Sequence, residues 1–142
     1  MRFAAIVLSV LALFAFSGQA FALRSGPLVD PAPVNIPDHV SDAEVAKSIK
    51  LALVGRGWEI TSEQQGEIIS TLHLREHMAK IRLTWGSGKI DIAYLESNNL
   101  DYKLKNGKPY IHSNYLNWIN YVVQDLNIKL RTKSVENGGD GN

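Results

Sequence analysis

Residues 67–96 read EIISTLHLREHMAKIRLTWGSGKIDIAYLE, and the period of their apolar side chains decides the fold. Ile68, Ser70, Leu72 and Leu74 fall on one side of an extended chain, and Ala79, Ile81, Leu83 and Trp85 repeat the pattern. After Gly86-Ser87-Gly88, Ile90, Ile92 and Tyr94 alternate with Asp91, Ala93 and Leu95. A period of two marks strands with one buried face. The same stretch holds His73, Glu76 and His77 at the H-x-x-E-H spacing of inverzincin metallopeptidases, a motif that works on a helix. A helix turning Ile68, Leu72, Ala79 and Leu83 inward would drag Arg75 and Glu76 towards the core. Two strands joined by a turn at Arg75-Glu76 or Glu76-His77 have no such conflict. His73 then projects from the outer face while Glu76 and His77 sit at the tip, so the three do not converge. No metal and no cofactor is expected.

The third and fourth strands predict their own register. A Gly86-Ser87 turn of type II′, with glycine at its first position, pairs Trp85 with Gly88, Leu83 with Ile90, Ile81 with Ile92 and Ala79 with Tyr94. On the other face Thr84 meets Lys89 and Arg82 meets Asp91, an opposite-charge pair. Upstream, Trp58 and Ile60 alternate with Glu59 and Thr61, and Gly66 suits a hairpin loop. Ser41 and Glu44 form a capping box ahead of a helix whose buried stripe is Val45, Ile49 and Ala52 or Leu53, stopped by Gly55 and Gly57. Residues 97–110 are turn-rich. A last helix, with Ser113 as its cap, carries Tyr115, Trp118, Ile119, Val122 and Leu126 on one face. The expected class is α+β, a four-stranded antiparallel meander with an N-terminal and a C-terminal helix on one face, in the order α-β-β-β-β-α.

The chain has 142 residues, 45% hydrophobic and 20% charged, with no cysteine. One domain fits that length, and disulfides are excluded. Arg2, an apolar run over residues 4–16 and Ala20-Phe21-Ala22 read as a secretory signal peptide at 1–22, cleaved after Ala22. The run is short of the roughly 18–20 residues that span a bilayer, and no second long apolar segment follows. Export to the periplasm is the expected destination. Without Arg2 the 15 basic side chains become 14, equal to the 14 acidic ones, which argues against a nucleic-acid partner. Residues 23–40, with four prolines, read as an extended leader. The domain itself is expected over 41–132 and a disordered tail over 133–142.

The segments ALVGRGWEI, LHLREHMAKIRL, IAYLESNNLDY and YIHSNYLNWI, taken in order, resemble a family of small exported proteins and lipoproteins of Gram-negative proteobacteria, over roughly residues 45–127. The resemblance implies an envelope location and a small α+β fold, and no particular activity. The chain differs from the lipoproteins in having no lipobox cysteine.

Nucleophilic catalysis has no motif here: there is no G-x-S-x-G elbow, no paired carboxylates and no phosphate loop. The outer sheet face, with His73, Arg75, Lys80 and Arg82, reads as a solvated polar surface. The best candidate site joins Arg75, His77, Tyr94, Ser97, Asn98, Tyr102, His112 and Tyr115, from a hairpin tip, a strand end, a loop and a helix start. It would bind a small ligand or an envelope protein. The alternatives are a small periplasmic enzyme using His77 or His112 with Arg75, and an inhibitor docking an edge strand on a secreted enzyme. A structural role for His112 and Asn98, at a cap and a turn, stands beside these readings.

Overall fold

Ser41 opens the first helix as a reciprocal cap: its hydroxyl accepts the Glu44 N–H, and the Glu44 carboxylate accepts the Ser41 N–H. Helix α1 then runs Asp42–Val54 and buries Val45, Ser48, Ile49, Ala52 and Leu53. Its end is fixed by Gly57, whose φ of 84° is open to glycine at little cost. The computed structural model describes residues 24–139. The expected signal peptide at 1–22 and residues 140–142 lie outside them.

Among the described residues ten elements occur in chain order: β1 Ser25–Pro27, β2 Val34–Asn35, α1, β3 Trp58–Gln64, β4 Glu67–Leu74, β5 His77–Gly86, β6 Lys89–Asn98, β7 Lys103–Lys105, β8 Lys108–His112 and α2 Ser113–Gly138. The class is α+β with antiparallel pairing throughout. The four strands read from the alternation are present, and the sheet content is larger than a four-stranded meander. One sheet has the order β2-β6-β5-β4-β3 and a second has β1-β8-β7. The proline-rich stretch therefore supplies a strand to each sheet, and Val34 enters the core. Both strands lie at sheet edges, where missing proline N–H groups are tolerated.

The β5–β6 register differs from expectation by two residues. Gly86 pairs with Lys89, Trp85 with Ile90, Leu83 with Ile92 and Ile81 with Tyr94. The turn is Ser87-Gly88, with φ of 49° and 78°, the double positive φ of a type I′ turn. A slip of two keeps every side chain on its face, so the inward set is as expected while the partners change. Arg82 pairs with Glu67 instead of Asp91, and Lys80 with Glu96.

The inward residues of β3 to β6, from Trp58 through Ile68, Leu72, Ala79, Ile81, Leu83 and Ile90 to Ile92, join one core with Val45, Ile49 and Leu53 of α1 and Tyr115, Ile119, Val122, Leu126 and Leu130 of α2. Helix α2 starts one residue earlier than a Ser113 cap requires. His112 is the cap, its Nδ1 accepting the Asn114 N–H at 3.0 Å. The helix also continues to Gly138, past the boundary at 132, so residues 133–138 are helix and not tail. Polar side chains hold this end: Ser134 Oγ donates to the Asp38 carbonyl, and Asn137 Nδ2 to that of His39.

Candidate functional site

Tyr94 is where the candidate residues meet. In a regular strand, residues three apart face opposite sides. Between β5 and β6 the register shifts after Ile81–Tyr94 and resumes at Lys80–Glu96, leaving Leu95 as a bulge. The bulge turns Ser97 to the face of Tyr94, and their hydroxyls lie 2.8 Å apart. Tyr102 stacks on the Tyr94 ring at 5.6 Å and 4°, and Tyr115 meets it edge-on at 5.6 Å and 89°. Asp30, from the segment between β1 and β2, accepts the Tyr94 N–H at 2.9 Å. Continuing the β2–β6 register from Val34–Ile90 brings Asp30 opposite Tyr94; Pro31 and Pro33 cannot donate to a ladder there, and the carboxylate takes its place. Burial pushes the Tyr115 phenol well above its ordinary range, with Asp30 and Tyr94 adding to the shift.

The two histidines are tied to neighbouring backbone. His77 opens β5 on the inward face. Its Nδ1 lies 2.6 Å from the Asn99 carbonyl. A carbonyl only accepts, so Nδ1 carries the hydrogen and Nε2 is left as the basic nitrogen. The His112 N–H donates to the next carbonyl, that of Leu100, at 2.7 Å. Its ring has the opposite tautomer, since Nδ1 accepts at the helix cap. Asn99 and Asp101 take φ of 56° and 53° around buried Leu100, a conformation Asn and Asp tolerate.

The eight residues thus divide. Tyr94, Ser97, Tyr102 and Tyr115 form one cluster, and His77 and His112 are anchored to the loop beside it. Arg75, with φ of 57°, is exposed in the Arg75-Glu76 turn. Asn98 pairs with Met78 on the outer face. His73 also pairs with Met78, one residue removed in phase from His77, so His73 and His77 lie on opposite faces.

A further site adjoins His77, whose ring is 6.3 Å from that of Trp118. Trp118 and Tyr121 of α2 close a hollow of about 240 Å³ with Arg56, Gly57, Trp58, Leu72, His73 and Leu74. Leu74 and Tyr121, 45% and 44% exposed, stand at its mouth. Arg56 grips Asp125 through two hydrogen bonds of 2.7 and 3.1 Å and lies 4.9 Å over the Tyr121 ring. The hydrogen bond from Arg56 holds the Asp125 carboxyl below its ordinary range. The guanidinium is thereby neutralised, so the hollow presents aromatic and aliphatic walls without net charge. The sequence places Trp58 in the inward row of β3 and Trp118 in the inward stripe of α2, but gives Arg56 and Tyr121 no role; an Arg and a Tyr outside any apolar stripe are the available signal. Comparison with family models, curated proteins and solved structures gave no match.

Proposed function

We propose that the protein is exported to the periplasm and acts as a non-enzymatic binding module, taking an uncharged, mainly apolar group into the hollow beside Trp118. The observation that carries this reading is the wall: Trp58, Trp118, Tyr121, Leu72 and Leu74 converge from β3, β4 and α2, and Arg56, the one Lys or Arg in the lining, is already paired with Asp125. A cavity of roughly 150 Å³ accepts a benzene ring, so this hollow has room for a bicyclic ring or a large aromatic side chain. The occupant is a small ligand or a side chain of an envelope protein. The signal-peptide pattern and the family resemblance support the location.

Two tryptophans in the wall supply the assay. Titrating short peptides bearing indole, phenol or alkyl side chains should give a saturable change in tryptophan emission, lost in Leu74→Asp while the circular dichroism stays that of the parent. Amide shifts confined to other faces, or none at millimolar peptide, would end the proposal. A second reading, a small periplasmic enzyme, draws on one observation: the Asn99 carbonyl orients His77 with Nε2 as a base. Turnover abolished by His77→Ala with binding intact would favour it.

A further inference from the structure

The β7–β8 hairpin carries charge of one sign. Residues 102–112 contain Lys103, Lys105 and Lys108 and neither Asp nor Glu. Lys103 pairs with Tyr110 and Lys105 with Lys108. Residues at paired and alternate positions share a face, so all three ammonium groups and the Tyr110 ring lie on one side of the ribbon. β1 widens that side through Pro27–Tyr110 and Ser25–His112. Lys105 opposite Lys108 is a like-charge pair, an arrangement that weakens a hairpin. Five cations elsewhere are ion-paired, Lys50 with Glu63, Arg56 with Asp125, Lys80 with Glu96, Arg82 with Glu67 and Lys133 with Glu136. Lys105 instead sits 6.0 Å over the Tyr110 ring, and among the described residues neither it nor Lys108 has an ion-pair partner. The whole chain has a formal charge of only +1, so the excess is local.

The lysine face also carries an aromatic ring. Tyr110 lies on it, partly exposed, opposite Lys103, whereas Leu104 pairs with Pro109 on the other side. Tyrosine beside lysine suits the boundary between water and acyl chains, where tyrosine is enriched. Lysine meets headgroup phosphates as a point charge and needs no fixed pairing geometry. A nucleic acid would call for a broadly basic molecule, which this is not.

We propose that the β7–β8 ribbon is an attachment surface for membranes with anionic headgroups. Each lysine near such a surface strengthens binding about fivefold, so three contribute on the order of a hundredfold. Attachment is weak, reversible and screened by salt.

The test is vesicle sedimentation of the full chain with neutral phosphatidylcholine against vesicles of roughly one-third phosphatidylglycerol. Arg2 and the N-terminal amine also favour the anionic vesicle, but they are common to the parent and its variants, so the change in the ratio of affinities on substitution reads the ribbon. The ratio should be large at low salt and fall as salt rises. Replacing Lys103, Lys105 and Lys108 together by Gln should lower it on the order of a hundredfold, and Lys129→Gln should leave it unchanged. Removing a like-charge pair does not threaten the hairpin, and a melting curve checks this. A ratio near one for the parent, or one that survives the triple substitution, overturns the proposal. So does capture by soluble polyglutamate without vesicle binding, which would point to an acidic protein.

Discussion

Two glycines on either side of Ser87 distinguish the two registers that the β5–β6 hairpin can adopt. In the structure Gly88 has φ of 78° and Gly86 lies in the strand, paired with Lys89. An added Cβ meets nothing within 4 Å at either position, so backbone conformation alone sets the outcome. Alanine at Gly88 must adopt the left-handed region at about 1–2 kcal/mol, offset by about 0.4–1 kcal/mol from its narrower unfolded ensemble. The net loss is about 1 kcal/mol. At Gly86 only the unfolded-state term applies, and Gly86→Ala should stabilise by about 0.5 kcal/mol. The two variants should therefore differ by about 1.5 kcal/mol, or about 6 °C in Tm. Urea unfolding followed by far-UV circular dichroism measures this, with equal slopes required for both proteins. In the alternative Gly86-Ser87 turn, Gly86 would hold the positive φ and the order would invert. Gly86→Ala less stable than Gly88→Ala would refute the type I′ turn and move β6 by two residues against β5.

Ser70 tests a buried hydrogen bond. Its hydroxyl, fully buried, donates to the Glu59 carbonyl at 2.7 Å, and Ser70→Ala should cost about 1 kcal/mol in urea unfolding. Tyr115 sets an alkaline limit. Its folded pKa lies above the unfolded value near 10, so the neutral phenol stabilises the fold below that pH and the contribution is lost as pH rises further. Tm should fall more gently with alkaline pH in Tyr115→Phe than in the parent. The acid limb has the opposite sign. Glu44, held low by the Ser41 backbone N–H, and Asp125, held low by Arg56, contribute above the unfolded carboxylate range and lose that contribution as pH falls through their folded values. Both are partly exposed and screened by solvent, so Glu44→Gln with Asp125→Asn should flatten the acid limb slightly, less so in high salt.

The alternation over residues 58–96 was legible because four consecutive strands bury one face against helices, and a period of two survives any register slip by two. That same invariance explains the register error. Leu83 opposite Ile90 and Leu83 opposite Ile92 are equally apolar, so hydrophobic pattern gives no preference, and only turn chemistry separates them. Glycine at position 86 argued for type II′, while Gly88 and a tolerated positive φ at Ser87 realise type I′. The β7–β8 hairpin was missed for a different reason. Asn106-Gly107, with φ of 52° and 77°, is the strongest short hairpin signal, but β7 is exposed throughout and offers no apolar row to announce a strand.

Ser97, Tyr102 and Tyr115 gather around Tyr94, and Ser97 does so through a bulge that alternation cannot reveal. Read as a regular strand, residues 94–98 would place Tyr94 and Ser97 on opposite faces, and the extra residue Leu95 reverses that. The hollow lies further from the reach of pattern. Its walls come from residues 56–58, 72–74, 118 and 121, and only folding relates them. Trp118 illustrates the limit. Helical spacing puts it on the inward stripe with Tyr115, Ile119 and Val122, which is correct in direction. Depth is a separate quantity, set by what lies opposite. Ile119 and Val122 are buried, whereas Trp118, beside the first residue of β5, is only partly covered. A periodic stripe therefore names the side chains that turn inward, and the one at the end of the sheet becomes a wall of a site instead of part of the core.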